Sequence, residues 1–286
     1  MRVQQQQQAK FTIDKMAYVT SYTSIQGDIG AGKSTVLKCI ARYITREGMD
    51  AMQINDDSPA GDYIMLVDEP VAKWMEQIHR MGYYTPNPVE VTTTTTEPLY
   101  SGLQLFNKKP DEYAFSFQIG AFTSRLALII DTLSQLPGDA STYASRGIRI
   151  HIVAERSMRT DRLFFWCQYL LGNANHYEWY TYCAFFALIC THVTKKESAM
   201  IYLRTPPETC KARVIERDRL GEEDIKLDYL QLLDKEHDAM IVDFKKESPE
   251  EHRVYELDLA RSMTTEEIDA AVVDLMTRLR YDLVLL

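Results

Sequence analysis

The segment QGDIGAGKST, residues 26–35, constrains the fold of this chain more than any other stretch. It contains a glycine, four intervening residues and then Gly-Lys-Ser, which is the pattern of a phosphate-binding loop. Glycines let the backbone wrap an anion closely, helix-terminal N–H groups supply positive potential, and the lysine adds a full charge. We therefore predict a nucleotide phosphate site at Gly27, Asp28, Ile29, Gly30, Ala31, Gly32, Lys33, Ser34 and Thr35, with Ser34 as a Mg²⁺ ligand.

The sequence around this loop has the strand–loop–helix order that such a motif requires. Residues 17–25 are rich in β-branched and aromatic residues, and residues 33–48 carry a helical apolar stripe that ends at a glycine. Further strands are expected at 63–70, 149–155, 199–205 and 253–259, with helical patterns between them. This alternation predicts an α/β fold with a five-stranded parallel sheet flanked by helices.

Composition narrows the functional classes. A formal net charge of −9 argues against a nucleic-acid-binding surface. The five cysteines are scattered and lack C-x-x-C spacing, which favours a reducing compartment and no zinc site. The apolar stretch 180–190 is too short to cross a bilayer and is interpreted as a buried helix. We expect an intracellular, cytoplasmic protein with no membrane partner.

Three low-complexity or irregular segments stand apart from the strand–helix pattern. Residues 1–16 contain a glutamine run and are expected to form a disordered tail. Residues 50–62 and 85–98 are interpreted as loops or insertions, the second rich in threonine. With no repeat or linker visible, residues 17–286 are expected to form a single domain.

Charged side chains follow two of the expected strands. In a parallel sheet, the carboxyl ends of the strands border the ligand crevice. Glu69, in VDEP, is therefore a candidate general base, and its neighbour Asp68 is interpreted as solvated. Glu155, in VAERS, could face the metal, while Arg156 could neutralise charge on a moving phosphoryl group.

Two helices carry further polar candidates. Gln118 and Arg125 lie seven residues apart on one face of an apolar helix, with Ala121 between them, and could read the edge of a heterocycle. The segment 205–223 presents a cluster of arginines on a helix that ends in a loop, which suggests a lid over phosphates. These arginines are Arg213, Arg217 and Arg219.

Taken together, the segments GDIGAGKST, EPVAKW, FSFQ with SRL, ERSMRTDR and RVIERDRLGEE resemble the deoxynucleoside kinase family, in order, from about residue 18 to 258. The resemblance implies a P-loop kinase fold with an arginine-rich lid at about 212–225. It implies transfer of the γ-phosphate of ATP, with Mg²⁺, to the 5′-hydroxyl of a deoxynucleoside in nucleotide salvage. It also implies a homodimer.

The same resemblance assigns roles to individual residues. Glu69 matches the general base, Arg156 the arginine near the transferred phosphate, and Glu155 the carboxylate on the metal side. Gln118 matches the amide that pairs with the base, and Glu222 the lid acid that reaches the sugar 3′-hydroxyl. The nucleoside pocket is further assigned Ile29, Trp74, Asn107, Phe117, Ala121, Arg125, Asp161 and Phe165.

The resemblance also implies which nucleoside base is preferred, through one pair of charged residues. In the branch similar to deoxycytidine and deoxyguanosine kinases, an arginine on the glutamine helix pairs with an aspartate after ERS, and here these are Arg125 and Asp161. Such a pair suits an amino-bearing base edge, whereas the thymidine-accepting branch has apolar or small residues there. Deoxycytidine or a purine deoxynucleoside is therefore expected over thymidine.

The sequence departs from the family at two site positions. Asn107 stands where the family has a tyrosine that holds the 3′-hydroxyl, which affects discrimination at the sugar. Asp28 replaces the customary asparagine of the phosphate loop, and a carboxylate beside an anion site is expected to weaken ATP binding.

Three other functions compete with this interpretation. A thymidylate-type nucleoside monophosphate kinase shares the fold, a strand-end acid-proline pair and a lid. A non-catalytic structural relative would retain the fold without the chemistry, although Lys33, Glu69 and Arg156 argue against it. A DNA-dependent ATPase lacks support, since no stripe of aromatic and basic residues is present.

Overall fold

The structure is a computed structural model that describes residues 18–76, 100–137, 141–192, 196–247, 253–259 and 263–284. Within these ranges, strands β1 to β5 form one sheet of order β2-β3-β1-β4-β5, and every neighbouring pair is parallel. The predicted five-stranded parallel sheet is confirmed. The strands are β1 Val19–Gln26, β2 Gly61–Val67, β3 Ile148–Glu155, β4 Ala199–Arg204 and β5 Arg253–Asp258.

Helices cover both faces of this sheet, as its apolar strands require. One apolar layer is formed with α1, α8, α9 and α10, and the other with α3, α4, α6 and α7. Ile25, Ile152 and Ile201, on the three central strands, are fully buried. The helices are α1 Lys33–Arg46, α2 Val71–Met75, α3 Gly102–Lys108, α4 Pro110–Ser134, α5 Ser141–Ser145, α6 Met158–Leu170, α7 His176–His192, α8 Pro207–Arg217, α9 Leu227–Glu247 and α10 Thr265–Val284.

The prediction of a buried helix at residues 180–190 is only partly right. The segment lies within α7, where Tyr182 is fully buried against the sheet layer. Tyr180 and Leu188, however, are 66% and 60% exposed. One face of this apolar helix therefore packs on the core, and another face points outward.

In the described ranges, α4 has the length and apolar composition of a membrane-crossing helix. Its polar residues Gln118 and Arg125 are nevertheless buried, and α4 packs against α3 and α6. A core helix of a water-soluble protein passes the same test of length and composition. Its role here is to carry side chains to the site described below.

The segments predicted as irregular have different outcomes. Residues 50–62 contain a short 3₁₀ turn, Ala51–Gln53, and end in the first residues of β2. Residues 1–16 and 85–98 lie outside the described residues, so the predictions for them stay predictions.

Candidate active site

A cavity of about 390 Å³ lies at the carboxyl edge of the sheet. Its lining comes from the phosphate loop, the ends of β2 and β3, helices α2, α3, α4 and α6, and the region of α8 that follows β4. The predicted site residues that line it are Ile29, Gly30, Gly32, Lys33, Ser34, Thr35, Glu69, Trp74, Asn107, Phe117, Gln118, Ala121, Arg125, Glu155, Arg156, Asp161, Arg213, Arg217, Arg219 and Glu222.

The phosphate loop joins β1 to the first residue of α1, Lys33. Gly30 has φ +88°, and a Cβ there would lie 2.5 Å from the carbonyl oxygen of Cys210, so only glycine fits. The ammonium of Lys33 donates to the carbonyls of Gly27, at 3.1 Å, and Asp28, at 2.6 Å. Burial and the nearby Arg156 lower the pKa of Lys33 to about 8, against the opposing effect of Glu155 and Glu69.

Asp28 is placed differently from the sequence expectation. Its carboxylate does not line the cavity; it is buried and lies 3.1 Å from the imidazole of His237, on α9. The carboxylate therefore points into the core and not toward the anion site. Gly27 and Ala31 likewise shape the loop without lining the cavity in the described structure.

Ser34 and Glu155 form a hydroxyl–carboxylate pair beside the loop. The Ser34 hydroxyl donates to Glu155 Oε1 at 3.2 Å. Burial and the neighbouring Glu69 raise the pKa of Glu155, while Lys33 and Arg156 oppose the shift. Oxygen ligands of this kind fit Mg²⁺, which typically takes one or two protein ligands and completes its octahedron with phosphate oxygens and water. Among the described residues, no group of three or more His, Cys, Asp or Glu side chains could hold a metal.

Glu69 follows β2 and lies between two arginines. Its Oε1 is 3.0 Å from Arg156 Nε and 3.2 Å from a terminal nitrogen of Arg125. Burial alone would raise the pKa of Glu69, but Arg156, Arg125 and Lys33 together bring it below its ordinary value. The carboxylate is therefore ionised at neutral pH and available to accept a proton.

Arg156 follows β3 in a strained conformation, with φ +68°. Its backbone N–H donates to the Ile25 carbonyl at 3.0 Å, and its guanidinium lies over the ring of Phe164 at 4.4 Å. Within the described structure, one of its buried terminal nitrogens has no hydrogen-bond partner. This donor belongs to a residue of the cavity lining, where an anionic group could accept from it.

Aromatic rings line the part of the cavity away from the loop. Trp74 donates its indole N–H to Ser124 at 2.9 Å and meets Phe117 edge-on, at 5.9 Å between ring centroids. Phe117 stacks on Phe106 at 4.6 Å, with the rings 3° from parallel. These rings give the cavity one apolar, aromatic wall against which a planar base could pack.

The prediction that Phe165 forms a cavity wall is wrong in this structure. Phe165 is fully buried among Phe115, Trp179 and Tyr182, and Phe164 lines the cavity in its place. Positions three and four residues after Asp161 both lie on its side of the helix, so spacing alone does not choose between them.

Arg125 and Asp161 form the predicted pair. Arg125 Nε and a terminal nitrogen reach the two Asp161 oxygens at 2.9 and 3.1 Å, a bidentate arrangement. The other terminal nitrogen donates to the Glu155 carbonyl at 2.7 Å. Burial works to lower the pKa of Arg125, but Asp161 and Glu69 raise it above its ordinary value. The guanidinium thus links the base-reading region to Glu69.

The predicted lid residues all line the cavity, but they form two separate sets of contacts. Arg217 and Arg219 both donate to the Glu222 carboxylate, the second at 3.0 Å. Arg213 donates to the Ala31 carbonyl at 3.4 Å and to the Leu259 carbonyl at 3.1 Å. Asn107 donates its amide to the Gly221 carbonyl, which joins α3 to this segment. Closure of the lid stays a prediction.

Comparison with known proteins assigns the chain to a family. The family model described as "Deoxynucleoside kinase" matches residues 23–279. The chain belongs to the deoxynucleoside kinase family. Membership confirms the predicted P-loop kinase fold and the predicted enzyme class, a phosphotransferase that acts on deoxynucleosides.

Individual relatives of this kinase agree with the family model. Deoxycytidine kinase 2 of Gallus gallus is 29% identical over 241 residues, covering 79% of this chain and 78% of the relative. Mitochondrial deoxyguanosine kinase of Xenopus laevis is 25% identical over 221 residues, covering 76% and 72%. The solved deoxyadenosine kinase from M. mycoides with dCMP and dCDP is 20% identical and has a TM-score of 0.57, over 90% of this chain and 99% of that chain, which supports the fold.

Sequence reasoning missed several residues of this deoxynucleoside kinase that contribute to the site. Phe106 and Phe164 line the cavity. His237 contacts Asp28 of the phosphate loop from within the core. The two phenylalanines lie near the motifs described above, so helical phase gave a partial signal. No sequence pattern pointed to His237, because its contact with Asp28 joins distant parts of the chain.

Proposed function

We propose that this kinase transfers the γ-phosphate of ATP to the 5′-hydroxyl of a deoxynucleoside in nucleotide salvage. The observation that carries the proposal is the position of Glu69, an ionised carboxylate beside Arg156 at the junction of the phosphate loop and the aromatic wall. A nucleoside stacked on that wall would bring its 5′-oxygen to Glu69 and toward the loop.

In the proposed mechanism the protein supplies alignment and charge. Lys33 and the loop N–H groups hold the ATP phosphates, and the terminal nitrogen of Arg156 that lacks a partner donates to the transferred group. Glu69 accepts the proton of the attacking hydroxyl. The two arginines beside Glu69 hold its carboxylate in one orientation.

Mg²⁺ is proposed as the metal of the reaction. Ser34 and Glu155 would hold it, since they pair at 3.2 Å beside the loop. When bound, the ion neutralises phosphate charge and orients the phosphate oxygens. Burial and Glu69 raise the pKa of the Glu155 carboxyl, and a bound cation would oppose that shift by favouring the ionised form.

Base preference is proposed from the Arg125–Asp161 pair. Because the donors of Arg125 are engaged by Asp161, Glu155 and Glu69, the groups left to read a base are Asp161 and Gln118. An acceptor and an amide complement a base edge that presents an amino group. This favours deoxycytidine or a purine deoxynucleoside over thymidine, and the relatives named deoxycytidine and deoxyguanosine kinases agree with that order.

The segment 212–225 is proposed to act as the lid. Glu222 holds two arginines in the present arrangement, and it lies in the cavity lining. When the sugar 3′-hydroxyl binds Glu222, Arg217 and Arg219 would become available to ATP phosphates. Asn107 is proposed to hold the lid backbone and to leave 3′-hydroxyl recognition to Glu222.

A homodimer is proposed as the functional assembly. Support comes from the outward face of α7, where Tyr177, Tyr180 and Leu188 are 76%, 66% and 60% exposed. Large apolar side chains grouped on one helix face are typical of an interface. A single domain over 17–286 and a cytoplasmic location stay predictions.

The test is ATP-dependent phosphorylation of the four natural deoxynucleosides, with dTMP as a fifth acceptor. We expect turnover of deoxycytidine or a purine deoxynucleoside, and loss of about 10²–10⁴-fold in kcat for Glu69→Gln. Asp68→Asn is the matched control, because Asp68 is the adjacent acid and is exposed. Preference for thymidine would contradict the base assignment, and preference for dTMP would contradict the acceptor class.

A further inference from the structure

Asp28 and His237 form a buried contact that the proposed reaction does not use. His237 Nδ1 lies 3.1 Å from Asp28 Oδ1, and the two side chains are 0% and 2% exposed. The same nitrogen lies 2.8 Å from the carbonyl oxygen of Leu233. Because both atoms that face Nδ1 are acceptors, Nδ1 carries a hydrogen.

Asp28 is otherwise poorly compensated. Within the described residues, both of its carboxylate oxygens and His237 Nε2 lack a hydrogen-bond partner of good geometry. The Lys33 ammonium donates a hydrogen bond to the backbone carbonyl of Asp28 and makes none with its carboxylate in the described structure. A buried carboxylate without donors is unfavourable, so the imidazole is the group that can compensate its charge.

His237 also contacts Phe164, the ring that supports the guanidinium of Arg156. Its ring meets Phe164 edge-on at 6.3 Å, and the face of Phe164 carries the guanidinium of Arg156 at 4.4 Å. Asp28 in turn is the residue whose carbonyl holds the Lys33 ammonium. One imidazole on α9 therefore contacts the supports of both cations that face the phosphates.

We propose that His237 is a positioning residue for ATP: as the partner whose Nδ1 faces the buried Asp28 carboxylate, it fixes the phosphate loop and, through Phe164, the orientation of Arg156. The inference deepens the proposed function and rests on it for the identity of the nucleotide. In this arrangement the Asp28 carboxylate stays in the core beside His237 and away from the anion site.

The experiment compares the wild-type chain with His237→Gln, Asp28→Asn and the double variant. ATP affinity is measured by calorimetry without acceptor, and thermal unfolding and the KM for deoxynucleoside are measured alongside. We expect His237→Gln to weaken ATP binding at least about tenfold, since it leaves a buried carboxylate unpaired, and to change the nucleoside KM less than about twofold. Adding Asp28→Asn should restore ATP affinity to within about threefold.

His176→Gln, at an exposed position at the start of α7, is the matched control and should leave ATP affinity unchanged. If His237→Gln does not fold but the double variant does, the charge pairing is supported. If His237→Gln weakens binding equally in the wild-type and the Asp28→Asn backgrounds, or if neither the single nor the double variant folds, His237 acts by packing alone and the proposal is overturned. Because ATP binding and unfolding need no acceptor, failure to phosphorylate any nucleoside would count against the proposed function and leave this test standing.

Discussion

The two ends of the cavity are built in different ways. The phosphate end comes largely from one continuous stretch, residues 27–35, with Arg156 added from the end of β3. The nucleoside end is assembled from Trp74 on α2, Phe117 on α4, Asp161 on α6 and the segment after α8. Under the proposed function, phosphate binding would therefore depend on local chain geometry, and base recognition on the packing of separate helices.

Their charges are also balanced differently. At the phosphate end, Arg156 keeps a buried donor without a partner in the described structure, and the hydrogen bonds of the Lys33 ammonium there go to carbonyl groups. At the nucleoside end, Arg125 is bonded to Asp161, Glu155 and Glu69 before any ligand binds. Substitution at the first end should reduce activity, and substitution at the second should reduce stability as well.

The largest effect is expected at the phosphate end. Lys33→Met should lower kcat/KM for ATP by roughly 10²–10³-fold, because it removes a preorganised charge from a water-poor site. Its melting temperature should hold or rise, since burial already disfavours this ammonium. Steady-state kinetics and thermal unfolding check both parts, with Lys73→Met, at an exposed position of α2, as the control. A large loss of stability would remove the contrast between the two ends.

The next largest effect is expected at the nucleoside end of the cavity. Arg125→Met should lower the free energy of unfolding by about 3–5 kcal/mol, because Asp161 and Glu69 lose a buried partner. Arg125→Met with Asp161→Ala should regain much of that stability and shift preference toward thymidine, whose 5-methyl group suits an apolar site. Denaturant titration and acceptor competition measure these outcomes. Purely additive losses would show that the pair is not a unit.

A pH profile tests the charge of the phosphate end directly. Lys33 is charged below its lowered pKa of about 8 and neutral above it, so kcat/KM for ATP should fall as pH rises through that value. The decline should approach about tenfold per pH unit. Lys33→Arg should shift this basic limb to higher pH, because a guanidinium keeps its charge. An unchanged profile in that variant would assign the limb to another group.

The smallest effect concerns the lid segment. Gly221 has φ +91°, and a Cβ there would lie 3.0 Å from Gln104 Cγ on α3. Gly221→Ala should raise the nucleoside KM by about threefold, because the added Cβ would crowd Gln104 and displace the proposed lid segment that carries Glu222. Gly172→Ala is matched in strain, with φ +77°, but has open space around it. Both variants should lose similar stability, and only the first should change KM.

The sequence predicted best what local chain chemistry determines. The sequence predicts the phosphate loop, the five strands and the acids at the carboxyl ends of β2 and β3, because glycine spacing and strand ends are local patterns. Gln118 and Arg125 were predicted to share a face from helical spacing, and both line the cavity. Phe165, assigned from the family resemblance, is instead fully buried, and its neighbour Phe164, which points in another direction from the helix, lines the cavity.

Other features depend on tertiary contacts between distant residues. The Asp28 carboxylate lies beside His237, which comes from a helix near the other end of the chain. Asn107 was predicted as a sugar contact, yet in this arrangement its amide meets the lid backbone at Gly221. Neither partner can be read from spacing, because no periodicity links the two segments in each pair.

At Arg156 the left-handed backbone conformation costs free energy, whereas the side chain makes stabilising contacts. A residue with φ +68° carries a conformational cost that glycine would avoid. Arg156→Gly would relieve that strain, but it would also remove a buried partner of Glu69 and the cation over the ring of Phe164. The strain is therefore offset by contacts that only the arginine side chain makes, so the stability of the site and the proposed role in phosphoryl transfer both favour arginine at this position.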